Sequence, residues 1–213
     1  MEIIKKTKDK IGFKAEIPIS LANAIRRSVN YIPILAVDSL EITKNDSALY
    51  DEVISHRVGL VPLQNEKLKL AKECDCGKEE GCSKCSMKLK MSAEGPGIVY
   101  SDQLSPKGSV VLKMPLTVLE EGQELEFVAI AKVGLGIEHA KYSPGLIYYG
   151  YSEDLGKEDD ESFKKLIEEG KKKPGKEIEV FIESWGQITP KEIFVGAIDA
   201  LNKEIKELLK EIK

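Results

Sequence analysis

The chain has 213 residues, 42% hydrophobic and 32% charged, with a formal net charge of −4. That length gives room for one or two domains with a real core, and no apolar run approaches the ~20 residues a membrane span needs. The negative balance argues against a protein whose own task is to neutralise nucleic-acid phosphates. The first residues, Met1-Glu2-Ile3-Ile4-Lys5-Lys6, do not read as a signal peptide, so a cytoplasmic location with no membrane partner is expected.

Residues 1–17 pattern as two short strands, with Phe13, Ala15 and Ile17 alternating against Lys14 and Glu16. A helix follows, with Ser20 as its expected N-cap and Leu21, Ile25, Val29 and Ile32 on one face, and Pro33 ends it. The next strand is expected to set Leu35, Val37, Ser39, Glu41 and Thr43 on one face and Ala36, Leu40 and Ile42 on the other. A second helix is expected from about Tyr50 to Val58, with Gly59 as a left-handed C-cap.

Two β-like pieces, 67–71 and 87–92, flank a loop that carries cysteines, and 110–133 reads as strand, turn, strand with Glu120-Glu121-Gly122-Gln123 at the turn. Residues 146–151 form another strand. Of the 25 residues from 153 to 177, 16 are Asp, Glu, Lys or Arg, a charged connector with room for only a short solvated helix. Ile178, Val180 and Ile182 then alternate as a strand.

The last helix is the best-specified element. Thr189 is its N-cap, Pro190 takes the first position, and Glu192 completes a capping box. Its apolar stripe is Phe194, Ala197, Ile198, Leu201, Ile205, Leu208 and Ile212. Each buried Leu, Ile or Phe contributes about 1.5–3 kcal/mol, and this stripe is longer than a small sheet can cover, so a partner helix is the expected cover. The strands near both termini are short of partners on their own. The economical arrangement packs both ends into one domain and leaves the middle of the chain as an insertion.

All four cysteines fall within one loop, Cys74, Cys76, Cys82 and Cys85, with Gly77 and Gly81 beside them. Four thiolates can close a tetrahedral zinc site, and the bond energy can order a polar loop that has little to bury. Disulfides are disfavoured in a reducing compartment, and the spacing does not match common iron–sulfur patterns. A loop of free thiols stays open as the alternative. A zinc ion held by four sulfurs would be structural, with no open position for a substrate.

Signals for catalysis are missing. The two histidines, His56 and His139, read as locally hydrogen-bonded residues, and there is no phosphate-binding glycine loop or nucleophile elbow. Gly134-Leu135-Gly136 lacks the third glycine of a dinucleotide fingerprint. Arg26 and Arg27, on the first helix, fit either a solvated face or a contact with another chain.

Several segments act jointly. Ser20-Leu21-Ala22-Asn23-Ala24-Ile25-Arg26-Arg27-Ser28 resembles the first-helix signature of the RNA polymerase alpha-like subunits. His56-Arg57-Val58-Gly59-Leu60-Val61-Pro62-Leu63, Val133 to Gly136 with His139 to Pro144, and Gly186 to Glu192 are similar to further blocks of that family. The resemblance is to its archaeal D branch, itself similar to the bacterial alpha N-terminal domain and to the third-largest subunit of eukaryotic RNA polymerase II, which carries a zinc loop where Cys74 to Cys85 fall here.

The resemblance implies an α+β fold. A discontinuous dimerisation domain would hold residues 1–36 and 145–213, with the connector at 153–177. A mostly-β insert domain would hold 37–144, with the metal loop at 74–85. It implies a non-catalytic subunit that pairs with a smaller alpha-like subunit, L, to form the platform for the two largest subunits, joined by small subunits N and P. DNA would be met only through the complex, and Arg26 and Arg27 would lie where a large subunit docks. Many archaeal relatives carry a cysteine-bearing ferredoxin-like domain where this chain has its connector, so no iron–sulfur cluster is expected, and the bacterial C-terminal DNA-binding domain is not expected either. A stand-alone zinc-knuckle protein that binds nucleic acid is the alternative, although the loop mixes Asp75, Glu79 and Glu80 with Lys78 and Lys84.

Overall fold

Alternating apolar residues near both termini build a single sheet. In the computed structural model, which describes residues 2–64, 86–151 and 177–212, strands β1 (Glu2–Lys6), β2 (Lys10–Ala15), β8 (Gly145–Tyr151) and β9 (Ile178–Ser184) form an antiparallel sheet in the order β1-β2-β9-β8. Phe13 pairs with Val180, and Ile11 and Ile147 both pair with Ile182. Phe13, Ile147, Ile178, Val180 and Ile182 are buried. Helix α1 (Ile19–Ser28) and the last helix, α3 (Pro190–Glu211), pack on each other and on this sheet. These elements form one compact unit, drawn from the described residues of Met1–Val29, Gly145–Ser184 and Thr189–Lys213.

Helix α1 starts earlier than the expected Ser20 cap. Pro18, with φ at −59°, turns the chain into the helix, and its carbonyl accepts the Ala22 N–H at 3.0 Å. No side chain caps it. Ala22, Ile25 and Ser28 are its buried residues, while Leu21 is exposed. A short 3-10 turn, Val29–Tyr31, carries the chain on toward Pro33.

The second unit comprises Asn30–Pro144, within the described residues, together with Trp185–Ile188. Strand β3 (Ile34–Asn45) and strand β4 (Ser86–Glu94) pair antiparallel to either side of β7 (Glu124–Gly134). Strand β5 (Gly97–Tyr100) pairs with β6 (Pro115–Leu119), and α2 (Asp51–Gly59) packs on β3 and β6. Residues 30–36 fall in this unit instead of with the chain ends, because β3 begins at Ile34 and pairs from there along β7. Its core includes Leu35, Val37, Ile54, Val58, Leu63, Leu89, Leu116, Leu125 and Phe127.

Two local expectations are corrected here. The simple alternation expected for β3 breaks at Asp38, the extra residue of a bulge between the pairs Val37–Ala131 and Ser39–Ile130. The bulge shifts the side-chain frame by one. Leu40 and Ile42 therefore pack on the same core as Leu35 and Val37, while Ile34 and Ala36 cluster with Tyr142. Gly59 is not a left-handed cap: α2 continues through it, and Leu60 closes the helix at φ −89°.

The mixed helix-and-sheet architecture with a β-rich insertion follows the expected class. The 67–71 piece, the cysteine loop and the short helix expected inside 153–177 lie outside the described residues.

Candidate partner-binding site

Helix α3 enters as its sequence dictates. The Thr189 hydroxyl accepts the Glu192 N–H at 3.3 Å, and the Glu192 carboxylate accepts the Thr189 N–H at 2.8 Å, closing the capping box. These hydrogen bonds, first from the Thr189 backbone and then from its hydroxyl, hold the Glu192 carboxyl below its usual range.

Burial along α3 is uneven. Ile193 and Ala197 are fully buried, and Phe194, Ile198 and Leu201 are half-buried. Beyond them Ile205 is 48% exposed, Leu208 58% and Ile212 74%. The expected stripe therefore divides into a covered first half and an open second half. The true anchor, Ile193, stands outside that stripe, and so does Leu209, which is 55% exposed. A residue advances about 100° around the helix, so the line Ile193, Ala197, Leu201, Ile205, Leu209 drifts about 40° at each step. Its first members face their own sheet and its last members face away.

Arg26 and Arg27 lie in the last turn of α1 and are exposed. The Arg26 guanidinium donates to Asn23 Oδ1 at 2.9 and 3.1 Å, which fixes its direction along the helix.

In the second unit, three of the segments singled out by sequence meet in one groove of about 260 Å³. Leu60, Val61 and Pro62 form one wall, Ala140, Lys141 and Ser143 another, and Ala36, Trp185 and Gln187 complete the lining. Gln187 Nε2 donates to the carbonyls of Leu35 at 2.9 Å and Leu63 at 3.0 Å, tying this segment to two others distant in sequence. Gly186 makes the approach possible: its φ of +92° favours glycine, and a Cβ there would lie 2.7 Å from Val111 Cγ1.

The 140–142 wall is held by the bulged residue of β3. Asp38 meets Lys132 Nζ at 3.2 Å, Lys141 Nζ at 3.4 Å and the Tyr142 hydroxyl at 3.2 Å. Burial alone would raise the Asp38 carboxyl, but the two lysines and the phenol outweigh it and hold it below its usual value. Burial, reinforced by the Asp38 charge, pushes the Tyr142 phenol up. His139 Nδ1 accepts the Lys141 N–H at 3.1 Å and caps this turn. His56 is exposed in the last turn of α2, and the two histidines belong to separate segments.

Cys74, Cys76, Cys82 and Cys85 all lie outside the described residues. Four closely spaced thiols remain a donor set suited to a soft divalent ion. No helix among the described residues is long and apolar enough to cross a membrane.

The DNA-directed RNA polymerase subunit Rpo3 of Pyrococcus horikoshii is 41% identical over 160 residues, covering 71% of this chain and 59% of its own. Rpo3 of Methanothermobacter thermautotrophicus is 41% identical over 138 residues, covering 60% of this chain and 52% of its own. The DNA-directed RNA polymerase II subunit rpb3 of Dictyostelium discoideum is 34% identical over 167 residues, covering 69% and 55%. The chain thus spans between half and three fifths of these relatives' lengths. The family model described as "RNA polymerase Rpb3/RpoA insert domain" matches residues 31–148, which is more than half of the chain and includes two walls of the groove. By that match the chain belongs to the RNA polymerase Rpb3/RpoA insert domain family.

Proposed function

We propose that this chain is a non-catalytic assembly subunit of DNA-directed RNA polymerase, acting in the cytoplasm. It pairs through α3 with a smaller alpha-like subunit, the L type, and the pair forms the platform for the two largest subunits, with small subunits N and P joining. Nucleotidyl transfer belongs to the whole complex, and DNA is met only through it.

The observation that carries this reading is the bared second half of α3. Leu208, Leu209 and Ile212 stay more than half exposed on a helix whose first half is anchored in a core. Leaving such a stripe in water is costly, and exposed apolar stripes of this kind mark association surfaces. Arg26 and Arg27 on α1 then serve the contact with a large subunit, and the groove under Trp185 offers a second surface to other subunits. The stand-alone nucleic-acid-binding alternative has no support, since the related proteins carry the names of polymerase subunits.

Cys74, Cys76, Cys82 and Cys85 would hold one structural zinc ion, which supplies bond energy to order their loop. No iron–sulfur cluster is proposed.

Co-expression with the smaller alpha-like subunit, followed by mass measurement of the complex and of its metal, tests the reading. A one-to-one complex carrying zinc is expected. A chain that stays a stable monomer at micromolar concentration and ignores the smaller subunit would overturn it.

A further inference from the structure

From the half-buried Leu201 onward, α3 carries a seam with charged borders. Leu201, Ile205, Leu208 and Ile212 recur at steps of four, three and four, the heptad spacing of a helix that packs on another helix. At about 100° per residue, Glu204 and Glu211 border this seam on one side. Asn202 and Leu209 border it on the other, with Lys206 behind them. Glu207 pairs with Lys203 at 3.9 Å on the solvent side, whereas neither Glu204 nor Glu211 has an ion-pair partner among the described residues.

Resting on the reading of α3 as a pairing surface, we infer that its occupant is a helix of a different chain, apolar along its own heptad seam and lined with Lys or Arg on the flank that meets Glu204 and Glu211. A second copy of this chain does not fit. An antiparallel pair sets identical flanks together, so glutamates face glutamates. A parallel pair sets Glu204 and Glu211 against Asn202 and Leu209, which offer no cation. Each exposed ion pair is weak by itself, so the flank selects the partner while the seam supplies the drive.

Full-length chains altered only on α3 test the inference. Glu204→Lys with Glu211→Lys keeps the seam and makes that flank basic. Asn202→Lys with Leu209→Lys puts the cations on the opposite flank. These positions are exposed, and circular dichroism checks that the helix persists. Each variant is mixed with the wild-type chain, and association is followed by sedimentation in low and high salt.

One mixture is expected to associate about tenfold more tightly than the wild-type chain does with itself, losing that gain in high salt. The first mixture gains if the helices run antiparallel, the second if they run parallel. If neither mixture exceeds the wild-type chain, or if the gain survives high salt, charge selection is overturned while the seam itself stands. If no sample associates at any concentration, charge selection is overturned, while the reading of α3 as a pairing surface is decided separately by co-expression with the smaller alpha-like subunit.

Discussion

Phe13 on β2 meets Phe194 on α3 edge to face, with ring centroids 5.3 Å apart and planes inclined at 74°. This contact joins the two ends of the chain inside one unit, and it anchors the covered half of a helix whose other half is bare. Removing it tests how far this unit depends on that contact. Phe13 is 4% exposed, and Phe13→Ala is expected to cost about 3 kcal/mol, read as a lower denaturant midpoint in chemical unfolding.

The seam of α3 gives the sharpest genetic prediction. Leu201→Asp with Ile205→Asp is expected to abolish co-purification with the smaller alpha-like subunit while leaving the metal content unchanged. Retention of the partner would remove these two positions from the interface.

Thr189→Ala removes one half of the capping box and is expected to cost about 1 kcal/mol. The effect depends on pH through Glu192. Its carboxyl is held low in the folded chain, so its contribution is present above the ordinary glutamate value and fades as pH falls through the lowered one. The stability gap between wild type and variant therefore narrows in acid, which thermal unfolding across a pH series would reveal.

Asp38 follows the same sign. Its folded-state value is depressed, so its stabilisation is present at neutral pH and lost as the solution is acidified through that value. Asp38→Asn is expected to lower the unfolding midpoint at neutral pH and to match the wild type in strong acid. Hydrogen exchange should locate the loosening in residues 139–143, where Lys141 and Tyr142 lose their charged partner.

The zinc proposal is checked by elemental analysis, with about one equivalent expected per chain. Cys82→Ser with Cys85→Ser should reduce it to near zero. Well under half an equivalent in the wild-type chain would favour free thiols.

Much of the local structure was legible because it rests on short-range chemistry. The Thr189-Pro190-Glu192 cap depends on residues within one helical turn, and the alternation of Ile178, Val180 and Ile182 is the two-residue period of a strand with one face buried. The segments that build the groove were also visible one by one, although nothing in their spacing said that residues near 60, 140 and 185 would meet.

β3 departs from simple alternation through extra residues in its pairing with β7, first at Asp38 and again at Thr43. A bulge at Asp38 leaves no mark on composition or periodicity, yet it moves Leu40 and Ile42 to the face of Leu35 and Val37. On α3 the sequence by itself determined that a long, capped amphipathic helix would form. Only the tertiary structure decided which half of its apolar line is covered, because burial depends on how far the underlying sheet extends, and Ile193 rather than Ile205 lies over it. Helix periodicity is a property of neighbours along the chain, whereas the end of a core is set by a sheet whose strands come from both ends of the chain.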